Sequence, residues 1–384
     1  MDFVKFATHT IKENGDIVFA DKSVIKKFVP DVDKIINRSI VFYGPSKTGK
    51  SYGIMHLLEI LAPKVEKALV ICPTDTTNYK KVIPSIYISP EISAQSSDAK
   101  VKKSSKTYQT ENMIFYLKNL IEIQSKHTEV YKKTIDMSTL WEIYKHIRDN
   151  PEKKPFDDLI SRLGSDHSKS LDKLKKNTSF TPDQQQAYKE DMINIYNKNI
   201  LKLLQNYILS NKRNIRSSLS SEHVDLIKYI GINPNLVLIL DDMGADLPTF
   251  SKIPEFRKLF FQGRHLSVTL IISCQSDKSL DTALRANAFI TICTDIKTAR
   301  TVLGRESSQI DKETKSALMK ITPIVFGINH VKLLYHRDED AYFTYKAEPT
   351  LPYRFKVGSR AYWELAERSE AGPSETASDM FGTL

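Results

Sequence analysis

Ile40-Val41-Phe42-Tyr43-Gly44-Pro45-Ser46-Lys47-Thr48-Gly49-Lys50-Ser51 joins a short apolar run to the pattern G-x-x-x-x-G-K-S. The residues that follow, Tyr52 to Leu61, carry apolar side chains at Ile54, Leu57, Leu58 and Leu61, the spacing of one helix face. Strand, glycine loop and helix in that order make a phosphate-binding loop. The glycines let backbone N–H groups turn inward around a polyphosphate, and the helix N-terminus points its partial positive charge at the same anion. Gly44, Pro45, Ser46, Lys47, Thr48, Gly49, Lys50 and Ser51 are therefore expected to cradle ATP. Lys50 is expected to neutralise the β- and γ-phosphates, and the Ser51 hydroxyl to enter the shell of a Mg²⁺ ion.

Around this loop the chain has the means to build a core. Its 384 residues are 41% hydrophobic, enough for one large or two modest domains. Lys and Arg number 56 against 46 Asp and Glu, a formal charge of +10 that permits a polyanionic partner. Cys72, Cys274 and Cys293 each lie in or at the end of an apolar run and read as buried structural thiols. No metal-ligand spacing is visible, so Mg²⁺ is the one metal expected. Met1 to Asp16 is charged, and nowhere do eighteen apolar residues run together, so a soluble protein with no membrane span is expected.

The expected fold class is α/β: a P-loop sheet of the RecA/ASCE-like kind, mostly parallel and flanked by helices, with a large helical insertion and a C-terminal β-hairpin. Residues 1–37 read as a lead-in of a strand or two and a short helix. Residues 38–77 and 235–348 read as the core, with further strands at Ala68 to Cys72, Leu236 to Leu240, Leu266 to Ser273 and Ala288 to Cys293. The hairpin is Val331 to Tyr335 with Tyr342 to Lys346. Residues 78–234 are rich in Lys, Asn, Ser and Gln and interrupted by Pro84, Pro90, Pro151, Pro155 and Pro182. Amphipathic series at Ile114, Leu117 and Ile121, at Leu140 to Ile147, and at Met192 to Ile208 mark that stretch as a helical insertion. Ser93 to Lys106 reads as a mobile loop. Residues 349–384 form a C-terminal extension, with a tail from Glu367 expected to be disordered.

A P-loop site needs an acidic strand end opposite the loop, and Leu236 to Leu240 ends in Asp241-Asp242. Asp241 at the strand tip is placed to hold Mg²⁺ through water, and Asp242 to polarise an attacking water as general base. Glutamate is the commoner residue at that second position. Gln275 ends another strand; if that strand lies between those of the P-loop and Asp241, the amide reaches the γ-phosphate. Gly263-Arg264-His265 sits at the opposite end of the Gln275 strand, out of reach of the nucleotide of its own subunit. In a ring, Arg264 could reach a neighbour's γ-phosphate as an arginine finger, with Arg285 as the competing candidate.

Leu259-Phe260-Phe261-Gln262-Gly263-Arg264-His265-Leu266, then Ile271-Ile272-Ser273-Cys274-Gln275, then Leu284-Arg285-Ala286-Asn287-Ala288-Phe289 resembles the genome packaging ATPases of the poxvirus and iridovirus type. These belong to the FtsK–HerA branch of P-loop ATPases. The resemblance covers about Ser39 to Asp75 and Asn235 to Lys346, with an R-H pair before a strand, a glutamine at its end and an R-x-N step before the last core strand. It implies a homo-oligomeric ring that drives double-stranded DNA into a preformed viral capsid, with a capsid or portal-vertex protein as partner. The implied setting is an infected host cell, at a nuclear or cytoplasmic assembly site, and the virion. The insertion is longer than in compact members, and Pro45-Ser46-Lys47-Thr48 is less glycine-rich than usual. Adenovirus-type packaging ATPases are the near alternative, since their metal-binding strand also ends in an acidic pair followed by methionine, as in Asp241-Asp242-Met243.

Two other classes compete. A P-loop GTPase would carry an N/T-K-x-D element after the Asp241 strand, which is not found, and a small-molecule kinase needs neither Gln275 nor a ring arginine. A nucleotide-gated DNA-binding or assembly protein without motor activity would use ATP only to set conformation. For the motor, Lys100 to Lys106, Lys169 to Lys176 and Lys212 to Arg216 are candidate contacts to the phosphate backbone.

Overall fold

Runs such as Ile40-Val41-Phe42-Tyr43 and Leu236-Val237-Leu238-Ile239-Leu240 have no polar face, so they form strands covered on both sides. The computed structural model describes residues 9–19, 24–90, 106–176, 179–244, 246–305 and 311–371. The chain divides into two units, Met1–Ser125 with Asn233–Leu384, and Lys126–Ile232.

In the first unit, short strands β1 (Thr10–Ile11), β2 (Ile17–Val18) and β3 (Val24–Ile25) pair antiparallel. The central sheet holds β4 (Ser39–Tyr43), β5 (Lys67–Ile71), β6 (Ile88–Ser89), β7 (Leu236–Leu240), β8 (Val268–Cys274), β9 (Ile290–Cys293), β10 (Val331–His336) and β11 (Ala341–Lys346). Their order is β11-β10-β9-β4-β8-β7-β5-β6. Strands β9 through β6 run parallel, and the β10–β11 hairpin adds antiparallel to β9. The P-loop fold expected from the sequence is thus present, with the hairpin built into the sheet edge.

Period-two alternation sends Ile40 and Phe42 to one face, with Ile54, Leu57, Leu58 and Leu61 of helix Lys50–Leu61. Val41 and Tyr43 point to the other face, with Phe256, Leu259 and Phe260 of helix Pro254–Gln262. Each such buried aliphatic side chain contributes about 1.5–3 kcal/mol. Met113, Leu117, Leu120 and Ile121, in the first half of helix Lys106–Thr134, join that second cluster. The chain after residue 78 therefore stays with the sheet for a further stretch, because Ile88–Ser89 extends the sheet and this apolar stripe needs the sheet face as cover.

The second unit has its own core of Leu140, Ile143, Tyr144, Ile147, Phe156, Ile200, Leu204, Tyr207 and Ile208, held by helices Met137–Lys145, Lys153–Lys175, Pro182–Ser210 and Ser221–Lys228. Two of the prolines read as interruptions start helices instead. Pro155 lies in the first turn of Lys153–Lys175, and Pro182 follows the Thr181 cap, whose capping box is closed by Gln184. Ile195 is 60% exposed, so the apolar series from Met192 is core only in its later part. Among the described residues no helix is long and apolar enough to cross a membrane. All three cysteines are free and buried.

One expectation fails. Glu367 does not begin a disordered tail, because helix Arg360–Ala371 continues through it. Tyr362 anchors that helix by stacking on Tyr87 at 4.2 Å and donating to the Ala68 carbonyl, and Ala366 is buried. The expected mobile loop from Ser93 lies, up to residue 105, outside the described residues.

The P-loop helix approaches β4 closely because residue 53 has no side chain: a Cβ on Gly53 would stand 2.6 Å from the Phe42 ring. Gly53→Val is expected to destabilise the first unit by about 1–3 kcal/mol, read as a lower urea midpoint with an unchanged m-value.

Candidate functional site

The chain leaves β4 at Gly44, where a positive φ of 153° and the crowding of the Thr294 hydroxyl exclude any side chain. Gly44 N–H donates to the Cys274 carbonyl at 3.1 Å, which ties the loop to the neighbouring strand. Thr48 Oγ1 donates to the Pro45 carbonyl at 2.8 Å and lies 2.5 Å from Thr294 Oγ1, whose own backbone N–H reaches the Tyr43 carbonyl at 2.8 Å. Gly49, at φ 84°, caps helix Lys50–Leu61 without a side-chain hydrogen bond, so no side chain competes for that helix N-terminus. Lys50 folds back to donate to the carbonyls of Gly44 and Pro45, both at 2.7 Å. Burial lowers its pKa, opposed by the charges of Asp241, Asp242 and Asp295.

Opposite the loop, Ser51 Oγ donates to Asp241 Oδ2 at 3.2 Å. Asp241 is 4% exposed, and its Oδ2 also accepts from the Tyr79 hydroxyl at 2.7 Å. Tyr79 is itself buried, and burial together with the Asp241 charge raises its pKa far above the ordinary phenol value. Among the described residues no group of three or more His, Cys, Asp or Glu could hold a metal unaided. A hydroxyl and one carboxylate nevertheless fit Mg²⁺, which takes hard oxygen ligands and completes its shell with phosphate and water.

The register fixes the remaining groups. Strand β8 lies between β4 and β7, the placement that a γ-phosphate role for Gln275 requires. Tyr43 pairs with Cys274 and Leu240 with Ile272, so Gly44, Gln275 and Asp242 leave the same edge of the sheet. Gln275 Nε2 donates to Asp242 Oδ1 at 2.7 Å, and Asp242 adopts a left-handed φ of 55°. Arg285 donates to the Asp277 carbonyl at 3.2 Å and to Thr282 Oγ1 at 2.9 Å. Asp277 in turn pairs with Arg305. Arg264 is exposed in the turn Gly263–Leu266 before β8, whereas Gln275 follows it. Seven strand residues separate them, roughly 20 Å or more.

Tyr79, Thr294 and the Asp277–Arg305 pair were not found by reading the sequence. They carry no motif, and it is the pairing of β5 with β7 and of β9 with β4 that carries Tyr79 and Thr294 to the site. A polar residue directly after a buried apolar run, as Thr294 follows Ile290–Cys293, is the one local signal that was available.

Residues 173–343 match the sequence model of a family described as Poxvirus A32 protein. The matched segment holds Asp241, Asp242, Arg264, Gln275 and Arg285, whereas Gly44 to Ser51 lies before it. The chain is 29% identical over 350 residues to the uncharacterized protein B354L of African swine fever virus isolate Pig/Kenya/KEN-50/1950, covering 89% of this chain and 91% of that one. The B354L protein of the Badajoz 1971 Vero-adapted strain matches to the same extent. An alignment of that span includes the helical unit, so the insertion is shared with these relatives. Among solved structures, the genome packaging NTPase B204 of Sulfolobus turreted icosahedral virus 2 in complex with AMPPCP covers 82% of this chain and 99% of its own, at 13% identity and a TM-score of 0.35. A superposition that loose carries no functional inference. Similarity to the poxvirus A32 proteins is thus carried by residues 173–343, which include the block from Leu259 to Phe289.

Proposed function

We propose that this chain is an ATPase that works in viral genome packaging by moving double-stranded DNA into a capsid. The observation that supports this most is the Gln275–Asp242 hydrogen bond of 2.7 Å at the open edge of β8, beside the glycine loop. A loop that only bound nucleotide would need neither group. A hydrolytic site needs both a base for water and a polar group that senses the γ-phosphate.

Lys50 exchanges the carbonyls of Gly44 and Pro45 for the β- and γ-phosphate oxygens. Ser51 and Asp241 would hold Mg²⁺, which would neutralise part of the phosphate charge. Tyr79 keeps the Asp241 carboxylate in place by occupying one oxygen. Asp242 accepts the proton of the water whose oxygen bonds to the γ-phosphorus as the bond to the bridging β,γ oxygen breaks and ADP leaves, and Gln275, released from Asp242, turns its amide toward the γ-phosphate. Loss of that phosphate returns Gln275 to Asp242, a change at the tip of β8 that links hydrolysis to the backbone. Arg264 sits too far from its own loop for this chemistry and suits a finger supplied to the next subunit of a homo-oligomeric ring. Arg285, held by Asp277 and Thr282, stays with its own subunit.

The partner is double-stranded DNA, gripped through its phosphates, with a capsid or portal-vertex protein at the particle and an infected cell as the setting. Of the lysine clusters, Lys169 and Lys175 are each paired with a neighbouring carboxylate, Asp166 and Asp172. Lys212, Arg213 and Arg216 lie beside Arg148 through an antiparallel bridge of Ile147 with Ile215. That second group is the better phosphate contact. Residues 100–105 of the remaining cluster are outside the described residues.

Turnover of ATP by assembled protein should rise on addition of double-stranded DNA and lose that rise at high salt; a rate indifferent to DNA overturns the motor reading. Lys50→Ala should abolish nucleotide binding, whereas Asp242→Asn should keep it and lose about 100-fold or more in turnover. Identical behaviour of the two variants, with no phosphate release by the parent protein, favours nucleotide gating without hydrolysis. Tyr79→Phe should raise the Mg²⁺ concentration for half-maximal turnover by about 10-fold, measured by Mg²⁺ titration at saturating ATP. Mixing Arg264→Ala with Lys50→Ala subunits should recover part of the turnover that each variant lacks, since mixed interfaces restore a complete site; no recovery with intact assembly removes Arg264 as the finger.

A further inference from the structure

Lys332 lies on β10, two strands from β4, and is only 3% exposed. Its ammonium stands 3.5 Å from the position a Cβ would take on Gly49, the last glycine of the loop. It donates to the His330 carbonyl at 3.2 Å, and among the described residues no carboxylate pairs with it. Burial lowers its pKa, and no opposite charge restores it. A buried cation without an anion is costly, and an anion that reached it would relieve that cost. Lys50, in the loop itself, likewise donates to carbonyl oxygens, though with carboxylates nearby.

The sheet order says which part of an anion Lys332 would meet. Asp241, Asp242 and Gln275 follow β7 and β8 on one flank of β4, so the phosphate to be cleaved belongs there. A nucleotide's phosphates form a linear chain. The α-phosphate and sugar must then leave toward the other flank, that of β9 and β10. The hairpin strand runs antiparallel to β9, with Leu333 opposite Cys293, which brings Lys332 to the loop edge of the sheet.

We infer that Lys332 is a second phosphate-binding lysine, which takes the α-phosphate end of a nucleoside di- or triphosphate from the β9–β10 flank while Lys50 takes the β,γ end. This rests on the nucleotide reading of the loop and adds the side from which the nucleoside end is held. It also gives the hairpin a role: β10 and β11 close the sheet edge and deliver a charge to the loop.

The test uses the full chain and four proteins: the parent, Lys332→Met, Lys332→Arg and Lys50→Ala. Methionine keeps the buried aliphatic stem and removes the charge. ADP binding is measured by calorimetry, and the melting temperature is measured without ligand. Lys332→Met should bind ADP about 10- to 100-fold more weakly, with a melting temperature that is unchanged or higher because a buried unpaired charge is gone. Lys332→Arg should recover part of the affinity. ADP affinity within about threefold of the parent overturns the inference, and so does a lowered melting temperature, which marks Lys332 as structural. Should Lys50→Ala lose ADP while Lys332→Met does not, the inference alone fails. If the parent protein binds no ADP, the nucleotide reading fails with it.

Discussion

The pairing of β4 with β8 is the constraint on which the site depends. Tyr43 opposite Cys274 sets Gly44 beside the end of β8, and the hydrogen bond from Gly44 N–H to the Cys274 carbonyl joins the loop to that end. A slip of one residue would turn Phe42 and Tyr43 to the wrong faces and separate the loop from Gln275. The two apolar faces make such a slip prohibitive. Ile40 and Phe42 bury against the P-loop helix, and Val41 and Tyr43 against the opposite layer. Packing that looks purely structural therefore sets the distances among the polar groups.

Those polar groups lie at an edge that gathers charge in a dry setting. Lys50 and Lys332 are buried with only backbone carbonyls as hydrogen-bond partners, and Asp241 is buried with two hydroxyl donors. Lys50 also feels the carboxylates of Asp241, Asp242 and Asp295, whereas burial is the one influence on Lys332. The left-handed Asp242 adds backbone strain at the same place, held by the amide of Gln275.

The helical unit is a separate matter. It has a hydrophobic core of its own, built around Leu140, Tyr144, Phe156, Leu204 and Tyr207. Its presence in the African swine fever virus relatives makes it a feature of this group of chains and not an addition to this one.

By itself the sequence determined what depends on neighbours along the chain. The glycine spacing of Gly44 and Gly49, the apolar runs that became β4, β5 and β7, the acidic end at Asp241-Asp242 and the hairpin were all legible, because backbone turns and strand burial are written in consecutive residues. The α/β class followed from their order, and the poxvirus-type resemblance from the block ending at Phe289. Tertiary structure decided what is far apart in sequence. Tyr79 meets Asp241 across 162 positions, and Lys332 reaches Gly49 from a hairpin near the chain's end. No periodicity marks a tyrosine or a lysine for such a place, since partners across a sheet are chosen by strand order and register. The helical state of Glu367 to Ala371 escapes the sequence for the same reason. The composition there is that of a solvated tail, and the helix it continues is anchored from afar, by the stacking of Tyr362 on Tyr87, its bond to Ala68 and the burial of Ala366.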